Sequence, residues 1–350
     1  MLLAKLHRYG ICGPLWHWIS SFLLGRTQCV KFRGASSNWV SVESGVPQGS
    51  VLGPLLFNLF VLDLPNFVSS SLPQYADDTL LYRPIQEEDD INTVQNDLDS
   101  IVNWCNINKM SLNPDKCKVM RLSRRVGVNR STPQYTLLNK PLGVVHSYKY
   151  LGIIISSNLK WGDHVKSVTP RTSRLLGFIR RLVRCNDPDI LVKLYTTLCR
   201  PILEYGIPAW LPHQSGHLKS LEKVQGRLAR ACIPAPRGEL EYGVRLKKLG
   251  LMSVCNRYNY LAISFIAKCF YCKHDIDPLE YISINSRHSN SLKFSHSYAR
   301  TDSFKYTVFN RFPVYFDQLP PSLNDQFLFS ISNFLDNLKK HFRTISWNSK

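Results

Sequence analysis

The stretch LPQYADDTLLYRP, residues 72–84, places Asp77 and Asp78 side by side between two short apolar runs. The runs on either side of the Ala-Asp-Asp centre read as strands, and the centre reads as the turn between them. Adjacent carboxylates with apolar flanks repel each other. A divalent cation with a preference for oxygen ligands, such as magnesium, relieves that repulsion. Two-metal phosphoryl transfer uses carboxylates in this way, to hold ions that stabilise the attacking and leaving oxygens. Asp-Asp is also a good turn sequence in its own right, so the pair alone does not decide between the two readings.

Upstream, SGVPQGS at 44–50 is a glycine-rich loop ahead of an apolar run, Val51–Leu64, that reads as a buried helix. Gly45 and Gly49 permit close approach to the backbone, Pro47 stiffens the loop, and Gln48 offers an amide. Between the two N-terminal helical stretches (residues 1–24) and this loop, TQCVKFRGASSNWVSVESG alternates apolar and polar residues and reads as a hairpin turning at Gly34–Asn38. Downstream, residues 87–106 form an amphipathic pattern with Glu87, Glu88, Asp89 and Asp90 in the first turn, where the helix dipole favours anions. MSLNPDKCKVMRLS turns at Asn113-Pro114 into a strand, and a basic loop with Arg121, Arg124, Arg125 and Arg130 follows. SYKYLGIIIS, residues 147–156, is β-branched and reads as one strand.

From Trp161 the pattern is helix after helix: His164–Arg184, Pro188–Cys199 and Leu218–Cys232. Residues 161–230 hold 12 Lys/Arg against 5 Asp/Glu, an excess of +7, with Lys166, Arg171, Arg174, Arg180 and Arg181 on the first of these helices. Residues 283–306 are polar and read as a flexible connection, and Ile331–Phe342 returns to helix.

The whole chain of 350 residues has a net charge of +19 and 44% hydrophobic residues, which suits a packed protein with polyanionic partners. The longest apolar stretch, Val51–Leu62, contains Gly53, Pro54 and Asn58 and is well short of the ~20 residues of a spanning helix, so no membrane partner is expected. The ten cysteines form no compact framework. Cys105, Cys199 and Cys232 sit in apolar helical patterns and read as buried free thiols of an intracellular protein, nuclear or cytoplasmic. Cys269 and Cys272, with His274, have CxxC spacing but lack a fourth ligand, and their stretch continues a helix.

Order and spacing then carry more than any one motif. SGVPQGSVLGPLLFNLFVLDLP, YADDTLLY, WCNINKMSLNPDKCKVM and YKYLGIIIS occur in this sequence in the order of the later motifs of LINE-type (non-LTR, jockey-like) retrotransposon reverse transcriptases, which the chain closely resembles. RYGICGPLWHWISSFLLGRTQCVKF, LYTTLCRPILEYGIPAW and RFPVYFDQLPPSLN resemble further segments of the same elements, so the likeness runs through nearly the whole chain.

The resemblance implies an α+β fold. An incomplete palm, an antiparallel sheet with helices, occupies residues 1–160; a helical thumb occupies 161–235; a mainly helical C-terminal region with a polar loop near 283–306 occupies 236–350. It implies an RNA-directed DNA polymerase with magnesium as cofactor and with RNA template, DNA primer and deoxynucleoside triphosphates as partners. Residue by residue, Asp77 resembles the palm metal ligand and Asp78 its less critical neighbour. Tyr75 and Ala76 lie at the turn beneath the primer end. Pro47, Gln48 and Gly49 resemble the loop that positions template and nucleotide, and Tyr150, Leu151 and Gly152 the primer grip. Lys116 is a candidate general acid; Lys109 is the alternative, and both also read as solvent-facing lysines. Lys166, Arg171, Arg174, Arg180 and Arg181 are the expected nucleic-acid contacts.

The family also uses an aspartate from an earlier strand, and no Asp or Glu precedes Glu43. The chain therefore reads as a C-terminal fragment lacking the fingers and the first aspartate motif, and negligible activity is expected of it in isolation. A non-catalytic nucleic-acid-binding palm–thumb remnant and a degenerate element copy are the alternatives.

Overall fold

A computed structural model describes residues 1–123, 132–183, 187–236, 238–271, 274–285 and 293–344. The basic-loop residues Arg124, Arg125 and Arg130, together with Arg184 and Cys272, lie outside these. The fold mixes helices with small sheets. Among the described residues, strands occur as seven two-stranded pairings. The chain divides into two compact units, Met1–Met120 with Val128–Val145, and Arg121–Gly127 with His146–Lys350.

In the first unit, helices Leu2–Arg8, Gly13–Leu23 and Leu52–Val61 meet around Leu6, Ile19 and Leu56. The sequence predicts a buried apolar helix over about Val51–Leu64, and the helix forms over Leu52–Val61. Gly53, Leu56, Val61 and Leu64 are buried, while Val51, Leu55 and Leu62 are exposed. Lys5 ties this group to a second core. Its ammonium donates to Asp63 Oδ1 at 2.6 Å and to the Phe60 carbonyl at 2.8 Å, and it lies 4.4 Å from the Trp104 ring centroid. Trp104 Nε1 donates to the same Asp63 oxygen at 3.2 Å.

Helix Glu88–Ile107 follows the expected amphipathic pattern and begins with a capping box between Glu87 and Asp90. Hydrogen bonds from the Gln86 backbone, then from the Arg83 side chain and the Glu87 backbone, hold the Asp90 carboxyl down at about 2. The apolar face of the helix serves two clusters. Ile101, Trp104 and Cys105 pack with Val61, Leu64 and Leu72. Ile91, Val94 and Leu98 pack with Tyr135, Leu137 and Leu142.

The hairpin after Arg26 turns at Arg33-Gly34, where both residues have positive φ (48° and 87°), rather than across Gly34–Asn38. Lys31 pairs with Ser36 while Gln28 pairs with Val40, so Ser37–Trp39 carry one residue more than the opposite strand and form a bulge. The two-residue turn with two positive φ values matches the strand twist better than a longer loop.

In the second unit, helix Gly162–Leu182 packs on Ser215–Cys232, and Val254–Phe270 packs on both Val308–Asp317 and Ile331–Thr344. The second expected helix is continuous but carries a π-turn, Tyr195–Cys199, ahead of Arg200–Glu204. Pro201 cannot donate a helical backbone hydrogen bond, which fits a local change of ladder at this point.

Residues 283–306 were expected to be a flexible connection. Among its described residues it holds a strand pairing, Ile282–Asn285 with Lys293–His296, and the short helix Asp302–Lys305. Ile282 and Phe294 explain the difference, since both are buried with Phe312 and Phe316. Two well-placed apolar residues anchor an otherwise polar stretch.

Cys105, Cys199 and Cys232 are free and buried, and burial pushes the Cys199 thiol up to about 11. Cys269 ends buried on helix Val254–Phe270, and His274 stacks on Phe265. No helix among the described residues is long and apolar enough to cross a membrane.

Candidate functional site

Gln74–Tyr75 and Asp78–Thr79 pair as an antiparallel hairpin with Tyr75 opposite Asp78, which leaves Ala76 and Asp77 as the turn. Ala76 has φ +52°, a left-handed conformation that favours glycine. Such a residue costs on the order of 1 kcal/mol, and a positive φ at this position is the geometry of a tight two-residue hairpin turn. Both carboxylates are exposed. Two carboxylates, together with water and substrate phosphates, suit the way magnesium is usually held. The residues present therefore fit the ion the sequence implied. Among the described residues, no group of three or more His, Cys, Asp or Glu side chains converges to hold a metal.

The glycine-rich loop is shaped from two sides. Gly45 and Gly49 have φ of 80° and 78°. Ser50 Oγ donates to the Pro47 carbonyl at 2.7 Å and accepts from the Gly53 amide at 3.0 Å. A Cβ on Gly53 would lie 2.8 Å from that same carbonyl, so glycine is needed there for close packing. On the other side, the Arg26 guanidinium donates to the carbonyls of Leu23 at 2.8 Å and Gly45 at 2.7 Å, joining a helix end to the loop. Pro47 is half-buried, and Gln48 and Gly49 are exposed. The sequence reading missed Arg26 and Gly53; the only signal was an Arg just after a helix-ending glycine and a Gly-Pro inside an apolar run.

SYKYLGIIIS is not one strand but a hairpin. Ser147–Tyr150 pairs with Ile153–Ser156, and the turn is Leu151-Gly152 with φ of 45° and 85°. Gly152 is the cause: it lets the chain reverse between two runs that each look like strand. The hairpin is anchored within the second unit. Tyr205 Oη donates to the Leu151 carbonyl at 2.9 Å, the Ile154 amide donates to His164 Nδ1 at 3.2 Å, and Ser156 Oγ donates to Asp163 at 2.8 Å. His164 stacks edge-on against Trp210 at 4.5 Å. Burial, then the Lys149 charge, holds its imidazole below the usual histidine range.

Lys166, Arg171, Arg174, Arg180 and Arg181 are all exposed on helix Gly162–Leu182, while Val165, Val168, Thr172, Leu176 and Ile179 are buried. Arg171, Arg174 and Arg181 share a stripe at helical spacing with Phe178, which is 54% exposed. An exposed aromatic ring among arginines has the composition of a base-stacking platform, and the sequence reading did not single it out. Lys116 and Lys109 are both exposed. Lys116 follows a turn in which Asn113 Oδ1 accepts from the Asp115 amide at 3.1 Å, and Lys109 has φ +56° at a helix end. Nothing in this geometry prefers one lysine.

Comparison with known proteins adds the decisive observation. Residues 1–155 match the family model described as reverse transcriptase (RNA-dependent DNA polymerase). Over this segment the chain is therefore similar to reverse transcriptases. Similarity to retrotransposon proteins extends beyond the reverse transcriptase match. The chain is 27% identical over 263 residues to the RNA-directed DNA polymerase from mobile element jockey of Drosophila funebris, covering 70% of this chain and 28% of that protein. It is 30% identical over 239 residues to the probable RNA-directed DNA polymerase from transposon BS of Drosophila melanogaster, covering 64% and 26%. The retrovirus-related Pol polyprotein from type-1 retrotransposable element R2 of Popillia japonica is 29% identical over 225 residues, covering 59% and 35%. The chain thus spans about a quarter to a third of the length of these relatives.

Proposed function

We propose that this chain contributes palm and thumb sequence to an RNA-directed DNA polymerase, with residues 1–160 as palm, 161–235 as thumb and 236–350 as a C-terminal region. The observation that carries the reading is the exposed Asp77–Asp78 pair on a strained hairpin inside the reverse transcriptase match. Asp77 and Asp78 are the residues to hold magnesium, Asp77 as the principal ligand. When bound, the ion supplies electrostatic stabilisation of the transferring phosphoryl group. Pro47, Gln48 and Gly49, on a loop fixed by Arg26 and Ser50, position the template and the incoming deoxynucleoside triphosphate. Tyr75 and Ala76 lie beneath the primer end, and Tyr150, Leu151 and Gly152 grip the primer. Lys116 or Lys109 protonates the pyrophosphate leaving group. The exposed cations of helix Gly162–Leu182 bind phosphates of an RNA–DNA hybrid.

The test is magnesium-dependent binding of a deoxynucleoside triphosphate by the chain, measured by calorimetry. Wild type is expected to bind only with magnesium present. Asp77→Asn is expected to lose that dependence, and Asp78→Asn to weaken it less. Equal binding by Asp77→Asn and wild type would reduce YADD to a turn. Hybrid binding without any nucleotide binding would favour the non-catalytic remnant.

A further inference from the structure

The second unit contains a cavity of about 120 Å³ lined by Arg200, Arg257, Lys339 and Arg343, with Glu204 the one carboxylate among its lining residues. These side chains come from three helices: Arg200–Glu204, Val254–Phe270 and Ile331–Thr344. Glu204 is already engaged. Arg257 donates to both of its oxygens, at 2.8 and 3.0 Å, and Arg200 approaches one of them at 3.6 Å. Four cations against one carboxylate leave +3 at the cavity. Lys339 and Arg343 stand one turn apart on the same helix, a like-charge spacing that destabilises a helix in isolation. Both are exposed, whereas Tyr258 in the same lining is buried, so the cavity runs from solvent to core.

We infer that this cavity is a binding site for a phosphate group, with Arg200, Lys339 and Arg343 as its ligands and the Arg257–Glu204 pair as its wall. An anion offsets the mutual repulsion of three cations, and guanidinium donors match phosphate oxygens in geometry as well as charge. The Arg257–Glu204 pair fixes the wall: both carboxylate oxygens accept from Arg257 and one also faces Arg200, so this single carboxylate cannot offset the charge of the other lining cations. The volume is well below the ~300–1,000 Å³ of pockets that enclose whole drug-sized molecules. The site therefore takes one oxyanion group, not an entire nucleotide. That group belongs either to a nucleic-acid strand or to free phosphate. The inference does not rest on the polymerase reading, since none of these residues belongs to the reverse transcriptase match.

The experiment titrates a single-stranded DNA oligonucleotide and, separately, inorganic phosphate into the 350-residue chain. The variant is Lys339→Gln with Arg343→Gln, two exposed positions whose loss spares the core, and circular dichroism checks its helix content. Lys247→Gln with Lys248→Gln, exposed and outside the cavity lining, removes the same charge elsewhere. Oligonucleotide affinity is expected to fall at least about fivefold in the cavity variant, and the log–log salt slope by about 0.7 for each phosphate no longer neutralised, with little change in the control. Such a result assigns the site to a nucleic-acid strand. Alternatively, phosphate raises the thermal midpoint of wild type but not of the cavity variant, which assigns it to the free anion. If the cavity variant matches wild type in both titrations, or the control weakens as much, there is no phosphate site here. Magnesium-dependent nucleotide binding, measured alongside, reports on the polymerase reading separately.

Discussion

Tyr205 Oη donates a hydrogen bond to the Leu151 carbonyl at 2.9 Å, across more than fifty residues of sequence, and its ring lies against Gly152. A Cβ on Gly152 would come within 2.9 Å of Tyr205 Cε1, so the turn and the ring fit only because residue 152 is glycine. The neighbouring Gly206 repeats the device, since a Cβ there would meet Ile153 Cδ1 at 2.6 Å. Turn geometry proposed for the primer grip is thus set by a corner of the helical segment that follows. Tyr205→Phe is expected to cost about 0.5–1 kcal/mol, the net worth of one hydrogen bond at a partly solvated site. Gly152→Ala is expected to cost more, on the order of 1–3 kcal/mol, from its φ of +85° and the clash with the ring. Thermal denaturation of both variants checks the order. A Gly152→Ala variant as stable as wild type would mean that the turn is free to move away from Tyr205.

The Ala76 backbone gives a second prediction. Ala76→Gly removes a Cβ from a left-handed residue and is expected to stabilise the hairpin, by less than about 1 kcal/mol because glycine also gains freedom in the unfolded chain. Ala76→Val places a β-branched side chain at φ +52° and is expected to distort the turn that presents Asp77. Magnesium-dependent nucleotide binding should therefore be weaker in Ala76→Val and retained in Ala76→Gly. The reverse order would show that the left-handed turn has no part in presenting the carboxylate.

The sequence carried the hairpin around YADD, the helix at 88–107 and the basic helix because each depends on local pattern: strand runs about a turn, 3.6-residue periodicity, and acidic residues in a first turn. It missed what depends on partners distant in the chain. SYKYLGIIIS looked like one strand because six of its ten residues are aromatic or β-branched or leucine; the single Gly152 that reverses it is held by Tyr205, which no local window contains. Residues 283–306 read as a connection because their composition is polar, and the burial of Ile282 and Phe294 in a cluster with phenylalanines from distant helices accompanies the strand pairing there. Arg26 carries little local signal for the same reason, since its carbonyl partners at Leu23 and Gly45 lie on opposite sides of a hairpin.

Protonation gives a prediction with a definite sign. Burial holds His164, His213 and His341 below the usual histidine value, and for His164 the positive charge of Lys149 acts in the same direction. A depressed histidine binds fewer protons folded than unfolded. Its stabilising contribution is therefore complete above the unfolded value of 6.5 and declines as pH falls from there through the folded value. The thermal midpoint of the second unit should drop between about pH 7 and pH 5. His164→Gln is expected to lower stability at pH 7.5, because it replaces the imidazole that accepts from the Ile154 amide and packs on Trp210, and to flatten the pH dependence. A pH profile for His164→Gln parallel to that of wild type would show that this imidazole does not contribute to the acid sensitivity.

The basic helix offers the most direct separation of charge from stacking. Arg171, Arg174 and Arg181 share a stripe with the exposed Phe178 on helix Gly162–Leu182. Arginines that contact phosphates release counterions, so their removal weakens binding to all sequences alike and reduces the salt slope. Neutralising Arg174, Arg180 and Arg181 together is expected to weaken RNA–DNA hybrid binding and to make the remaining affinity less sensitive to salt. A stacking ring behaves differently. Phe178→Ala is expected to weaken binding of single-stranded oligonucleotides by about 1–3 kcal/mol while leaving the salt slope unchanged, because no charge is removed. A fully paired hybrid offers no unstacked base, so its affinity should respond little to Phe178→Ala. Fluorescence anisotropy across a salt series with both ligands reads the two effects at once. Equal losses on hybrid and single strand for Phe178→Ala would point to a damaged helix surface instead of a stacking ring, and unchanged hybrid affinity in the triple arginine variant would remove this helix from the proposed interface.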